Sequence, residues 1–384
     1  MKNYGFLIFV GIILSIHFLV NYYIYNRGIQ WLETMPHLKT TFRILMLLLV
    51  LSYPAGRFLE KLWYSPVTTS LHWIGAFWFA GMLYFTLLIF TSDLIRMANY
   101  FFHFLPQTDT PAYFKLKMYS GIGITATTLI IVLGGFLNAW HPKISQYDLK
   151  VNKNGGDKKH LKIVAASDIH LGTIIGPRKT QKLVETINSL KPDIILFAGD
   201  VVDEDVGPVI KQNLGESLKQ LKAPMGTYAS TGNHEYIGGV DRSVNYLEEH
   251  GVIVLRDSAL LINDQYYIIG REDRDKQRSE GVRKDLDAIM LGVNKEKPII
   301  MLDHQPYHLD LVQKAGIDLQ ISGHTHHGQL WPFGYITEKL FEVSRGYKLK
   351  EASHFIVSTG FGTWGPPVRT GNRPEILEIN LQFE

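Results

Sequence analysis

The sequence predicts an all-α transmembrane helical region followed by an α/β domain, a sandwich of two sheets flanked by helices. Three observations predict it. Residues 1–142 run in long apolar and aromatic stretches, whereas the remainder interleaves Lys, Asp, Glu and His with short β-branched runs. Five of those runs end in clusters of chemically loaded polar residues. At 384 residues the chain also exceeds the size at which single cores usually stop growing. The net charge of +3 and charged fraction of 20% average over two unlike halves and say little about either. Cysteine is absent, so no disulfide staples the fold and no thiolate serves as ligand or nucleophile.

Crossing the hydrocarbon core takes about 20 mostly apolar residues in a helix. Four segments approach that length: 4–25, 41–57, 71–90 and 118–140. The second is the shortest and carries Pro54 and Gly56, which predicts an irregular inner end. Lys2 ahead of the first segment admits a cleaved signal peptide, but no small-residue cleavage site follows Val20 and three further apolar segments do. Four spans place both termini on one side. That side holds Lys2, Arg57, Lys61, Lys143, Lys150, Lys153, Lys158 and Lys159, against Arg27, Lys39, Arg96, Lys115 and Lys117 on the other. The excess predicts a multi-pass protein of the cell membrane with its C-terminal domain on the cytoplasmic face. Arg43, Asp93, Arg96 and His72 sit near segment ends, which favours anchoring over transport. Residues 143–159, with the polar Lys-Asn-Gly-Gly-Asp-Lys-Lys run, read as a linker or an exposed hairpin tip before a domain spanning 160–384.

In that domain each loaded cluster follows a run that reads as a buried strand. Residues 162–167 lead into Asp168 and His170; 193–198 lead into Gly199 and Asp200; 227–231 lead into Gly232-Asn233-His234-Glu235. Residues 299–302 precede Asp303 and His304, and 319–322 precede Gly323-His324-Thr325-His326. Leu183, Val184, Ile187 and Leu190 have the spacing of a crossover helix between the first two strands. Further runs at 252–255, 266–270, 355–358 and 376–381 are expected to supply the second sheet.

Asp168, His170, Asp200, Asn233, His304, His324 and His326 together offer two carboxylates, one amide oxygen and four imidazoles. That set suits Mn, Fe or Zn better than Ca or an all-oxygen Mg site, and the ligand count implies two ions. Singly, each motif has a bland explanation: Asp caps helices, and Gly-Asp and Gly-Asn make turns. All five in order, each behind an apolar strand, leave that explanation little room.

The ordered series Asp168-x-His170, Gly199-Asp200-x-x-Asp203, Gly232-Asn233-His234-Glu235, His304 and Gly323-His324-x-His326 resembles the calcineurin-like metallophosphoesterases over residues 160–384. Within that superfamily the segment from Gly362 to Arg369 and the Gly-His-Thr-His-x-Gly-Gln block resemble a bacterial branch of membrane-associated phosphohydrolases. His327 departs from that branch, which more often has Gly there. The resemblance implies a four-layer αββα sandwich. It implies a first divalent ion on Asp168, His170 and His326, a second on Asn233, His304 and His324, and Asp200 bridging them. His234 then faces the substrate and donates a proton to the leaving oxygen. Asp203 is expected to orient His234, and His327 to lie behind the ligands or face the substrate. Arg369 is a candidate to support the ligands or to hold phosphate oxygens, as is Arg345 for phosphate; surface salt bridges are the plainer reading of both, and the preferred one for Arg345. Trp364 with Gly365-Pro366-Pro367 forms a stiff loop that either walls the pocket or packs in the core.

The function so implied is hydrolysis of a phosphodiester, phosphomonoester or lipid-linked pyrophosphate by a metal-bridging hydroxide, with Mn expected to serve in vitro. The expected partners are the lipid bilayer and a phosphate-ester substrate; no nucleic acid is expected and no obligate protein partner is evident. A catalytically silent metal-binding membrane sensor or scaffold is the contrasting class. An intact ligand set with a spare histidine argues against it.

Overall fold

The computed structural model describes residues 2–156, 158–279 and 281–384 and divides into two units, Met1–Gly135 and Phe136–Glu384. The first unit is helical: α1 (Lys2–Trp31), α2 (Lys39–Leu62), α3 (Pro66–Phe102) and α4 (Pro111–Ala139), whose last residues belong to the second unit. Pro36–Leu62, Pro66–Phe102 and Pro111–Ala139 are long and apolar enough to cross a membrane. The other expected span lies in α1, a helix of 30 residues, where the side chains of residues 2–7, 9 and 10 fall outside the described ones. Pro54 does not end its helix: α2 continues through it to Leu62, past the expected end at Arg57. Gly56 and Gly75 make close approach of α2 and α3 feasible, since a Cβ on either would collide with the facing backbone at His72 or Tyr53. Ser65 caps α3 in a reciprocal pair with Thr68, ahead of Pro66 in the first turn.

The second unit stacks two six-stranded sheets. Its strands are β1 (Lys143–Val151), β2 (His160–Ala166), β3 (Ile194–Ala198), β4 (Thr227–Ser230), β5 (Ile253–Val254) and β6 (Ser258–Ile262). They continue as β7 (Tyr266–Gly270), β8 (Ile299–Leu302), β9 (Leu319–Ser322), β10 (Gly346–Lys350), β11 (Ser353–Val357) and β12 (Glu375–Phe383). One sheet runs β1-β12-β2-β3-β4-β5 and the other β10-β11-β9-β8-β7-β6. Alternate residues make the shared core: Leu161, Ile163 and Ala165 of β2 and Leu196 of β3 pack with Ile268, Ile300, Leu302, Ile321 and Ile356 of the opposite sheet. The outward Ile299, Met301 and Phe355 meet Leu309 and Val312 of the helix Leu309–Ala315. On the crossover between β2 and β3, α5 (Pro177–Ser189) buries Leu183, Val184 and Ile187. The result is the expected αββα sandwich.

Two expectations need correction. Residues 143–151 are not linker but β1, which pairs in parallel with β12 from Lys143↔Glu375 to Val151↔Phe383. It is an edge strand wet on one face, so Tyr147, Leu149 and Val151 alternate with Gln146, Asp148 and Lys150, and no continuous apolar run marks it. Only the turn after it remains a connection, and Asp157 within that turn lies outside the described residues. The second correction concerns sheet membership. Of the late runs, β7 and β11 enter the second sheet, but β5 and β12 join the first, while β8 and β9 are central to the second. Hydrophobic patterning identifies a strand without naming its neighbour.

The strands β2, β3 and β4 are mutually parallel, as are β7, β8, β9 and β11. Parallel strands deliver their carboxyl ends to one edge, where α/β sheets bind ligands.

Candidate metal centre

All five loaded loops meet at that edge. Asp168 and His170 follow β2, Asp200 follows β3, Asn233 follows β4, His304 follows β8, and His324 and His326 follow β9. The chain bends sharply to aim them. Asp168, His170, Asp200, His324 and His326 all have φ between 43° and 69°, the left-handed region that non-glycine residues seldom occupy. Such strain persists at sites where the surroundings overdetermine it. Motif glycines serve the same end: a Cβ on Gly232 would strike the Asp200 carboxylate, and one on Gly323 the Asp168 carboxylate.

The side chains converge in two groups. Asp168, His170 and His326 offer ligand atoms within 4.8 Å of one another, and so do Asp168, Asp200 and His304. His170 Nε2 and His326 Nε2 face each other at 3.0 Å, and His326 Nε2 lies 3.4 Å from Asp168 Oδ1. Asp168 is common to both groups, and Asp200 Oδ2 also reaches towards each, 3.0 Å from His304 Nε2 and 3.9 Å from His170 Nε2. Asn233 Oδ1 meets His324 Nδ1 at 2.9 Å. His304 donates from Nδ1 to the Ala198 carbonyl at 2.8 Å, which turns Nε2 towards Asp200.

Backbone and neighbouring side chains fix the carboxylates. Asp168 accepts from His324 N at 2.8 Å and from Ser167 Oγ at 2.5 Å, while Asp200 accepts from His234 N at 2.9 Å. Glu235 is a clamp for the loops: its buried carboxylate accepts from Asp200 N, Val202 N and Gly232 N. Burial raises the Asp168 carboxyl above its usual range. Burial also opposes ionisation of Asp200, but the charges of His304, His234 and His170 outweigh it and hold that carboxyl well below its usual range. Burial, the His304 charge and other neighbours push His324 down to about 3. Burial, Arg369 and His170 hold His326 well below its ordinary value.

This donor set fits divalent cations. Among the described residues, His170 Nδ1 and His304 Nε2 are buried with no hydrogen-bond partner of sound geometry. Packing four imidazoles and two carboxylates this tightly is costly unless a cation sits among them.

Around the ligands, His234 Nδ1 meets Asp203 Oδ1 at 3.0 Å, and the two form a third cluster with His170. The His234 and His170 rings lie 4.4 Å apart, edge to face. Burial opposes a charge on His234, but Asp200 and then Asp203 overcome it and raise the imidazole to about 9. His327 is buried, with Nδ1 at 3.0 Å from Ser344 Oγ and Nε2 at 3.6 Å from Glu338 Oε1. Its φ of 43° gives the physical reason for Gly at this position in the branch it resembles.

Arg369 occupies a different place from the one expected of a phosphate holder. It is fully buried, and its contacts are Gly362 O, Thr359 O, Asn372 Oδ1 and His326 Nδ1. Arg345 is exposed and makes no hydrogen bond or ion pair among the described residues. Trp364 is 58% exposed, so it is not core packing. Sequence reasoning offers Glu235 as a support of the ligands or a helix-start residue, and misses Ser167 and Asn372, whose Nδ2 donates to His326 O at 2.5 Å. Ser167 adjoins a ligand and was findable; Asn372 carries no local signal.

A two-sheet sandwich whose parallel strand ends gather His and Asp around a cation site defines a metal-dependent phosphoesterase. The profile of the calcineurin-like phosphoesterases matches residues 161–328. A metallophosphoesterase of Aquifex aeolicus is 33% identical over 260 residues, spanning 66% of this chain and 98% of its own. A Danio rerio protein described as a transmembrane protein with metallophosphoesterase domain is 28% identical, spanning 98% of this chain and 89% of its own. A metallophosphoesterase of Campylobacter jejuni is 27% identical, spanning 98% and 99%. The chain belongs to the calcineurin-like metallophosphoesterases. Its relatives include animal as well as bacterial proteins.

Proposed function

We propose that this protein is a membrane-anchored phosphohydrolase with four passes and its catalytic domain on the cytoplasmic face. Two divalent ions are held by Asp168, His170, Asp200, Asn233, His304, His324 and His326, and a phosphodiester, phosphomonoester or lipid-linked pyrophosphate is cleaved. The observation that carries this reading is the convergence of the buried His170, His304 and His326 imidazoles on Asp168 and Asp200. When bound, the ions supply a nucleophile from water near neutral pH and neutralise phosphate oxygens. The chain's residues do the rest. Asp200, ionised at any working pH, sits between the two ligand groups. His234 carries a proton at neutral pH, and with Nδ1 engaged by Asp203 it has Nε2 left to protonate the leaving oxygen. Asp203 is a positioning residue.

The test is metal content of the purified full chain, with hydrolysis of bis-p-nitrophenyl phosphate against p-nitrophenyl phosphate in added Mn, Fe or Zn. Close to two ions per chain with metal-dependent turnover supports the reading and ranks diester against monoester. No bound metal and no turnover with any ion would turn the interpretation to a silent membrane scaffold.

A further inference from the structure

Immediately after the His326-His327 turn the chain exposes an unusual run of large apolar side chains. Trp331 is 52% exposed, Phe333 40%, Tyr335 62%, Ile336 53% and Leu340 65%. The helix Gly334–Leu340 buries none of its residues. Trp364 joins this surface through Gln329, which donates to the Trp364 carbonyl at 3.0 Å and accepts from its N–H at 2.9 Å. Exposed apolar clusters on this scale mark binding surfaces.

The surface borders the metal centre. The Phe341 ring lies edge-on to that of His324, with centroids 6.0 Å apart, and Glu338 reaches within 3.6 Å of His327. Next to the same turn is a cavity of about 390 Å³ lined by Lys143, Arg345 and Arg373, together with Tyr147, Asn372 and Glu375. Glu375 is paired with Lys143 at 3.3 Å, so the guanidinium groups of Arg345 and Arg373 set the sign. Asn372 ties the cavity wall to the His326 carbonyl. An apolar surface beside a cationic cleft, both touching one catalytic turn, complements an anionic amphiphile.

We propose that the substrate is a phosphate ester bearing a long alkyl or acyl chain, which lies on the surface formed by Trp331, Phe333, Tyr335, Ile336, Leu340 and Trp364. This rests on the phosphohydrolase reading and names its substrate class. The partner is a lipid-like amphiphile, because a soluble ester makes no use of the apolar surface, and a chain with three helices apolar enough to cross a membrane works among lipids.

The experiment compares methyl and dodecyl p-nitrophenyl phosphate on the full chain in nanodiscs. In both, water adds its oxygen to phosphorus and releases nitrophenolate, so only the remote chain differs. The readout is the kcat/KM ratio of dodecyl to methyl ester for wild type and for the combined Tyr335→Ser, Ile336→Ser and Leu340→Ser variant. Partition into lipid is common to both proteins and cancels. The ratio is expected to fall about tenfold or more, through KM on the dodecyl ester, given the apolar area removed. An unchanged ratio overturns the proposal. So does conversion of a dimer to a monomer with the ratio preserved, since that assigns the surface to a second copy of the chain. Cleavage of p-nitrophenyl phosphate with neither diester cleaved overturns this proposal alone, and failure of metal-loaded wild type on all three overturns the phosphohydrolase reading itself.

Discussion

Arg369 Nη2 donates to His326 Nδ1 at 3.1 Å, tying a fully buried guanidinium to a residue of the metal cluster. The remaining donors are spent too: Nε and Nη2 on Gly362 O, and Nη1 on Thr359 O and Asn372 Oδ1. A guanidinium has five N–H groups, and all five are used. Arg369 therefore holds the His326 turn in place and has no donor left for phosphate.

Arg369→Lys tests this assignment. An ammonium offers three donors without the planar fork, so buried acceptors are left unpaired. The expected loss of stability is about 3 kcal/mol or more, with weaker metal retention. Thermal melting and metal analysis read both. A raised KM with unaltered melting and metal content would restore the phosphate-holding role.

Asp200→Asn is expected to cost more turnover than alanine at any one of His170, His304, His324 or His326. Its carboxylate approaches His304 at 3.0 Å and His170 at 3.9 Å, one imidazole from each ligand group. Bound metal per chain should fall with turnover. Wild-type activity in this variant removes the bridging assignment.

His234→Ala should retain metal while turnover drops by about 10²–10⁴, the usual range for a lost general acid. Asp203→Asn should lower turnover by roughly 10–100-fold, because the imidazole loses the partner that orients and charges it. Loss of metal from His234→Ala would instead make His234 a ligand, consistent with its clustering with His170 and Asp203.

Glu235→Ala leaves three buried backbone N–H groups without their acceptor, at Asp200, Val202 and Gly232. Stability is expected to fall by about 3 kcal/mol, judged at roughly 1 kcal/mol or more per orphaned donor. Both Asp200 and Asn233 sit on the loops it clamps, so metal affinity should fall as well. Melting unchanged from wild type would show that water replaces the carboxylate.

Local signals made much of the centre legible and tertiary ones hid the rest. Asp168, His170, Asp200, Asn233, His304, His324 and His326 each stand at the end of a recognisable apolar run, and the fold gathers them. Arg369 reads equally as a support of the ligands or a holder of substrate, because guanidinium chemistry suits phosphate and backbone carbonyls alike; only burial separates the two. β1 reads as linker because half of an edge strand's residues face water. The split of β5 and β12 from β7 and β11 is a matter of partner choice, which periodicity does not encode.

Lys179 supplies a pH test of the fold. Burial, with Arg369 and Lys182 adding repulsion, pulls its ammonium down from 10.5 to about 7. Below pH 7 folded and unfolded chains both hold the proton, and the full cost of burying the charge is present. Between about 7 and 10.5 the unfolded chain binds the proton that the folded chain has released, so this contribution to stability rises with pH. Lys179→Met has no such group. The apparent melting temperature of wild type should therefore gain on that of Lys179→Met between pH 7 and pH 9.5. The opposing forces are also visible: Nζ donates to Ala139 O at 2.7 Å and lies 5.7 and 5.4 Å from the Trp140 and Phe361 ring centroids. If those contacts outweighed burial, the folded value would exceed the unfolded one. Wild type would then lose ground to the variant as pH rises, and that reversal would mark Lys179 as a charged anchor for the end of α4.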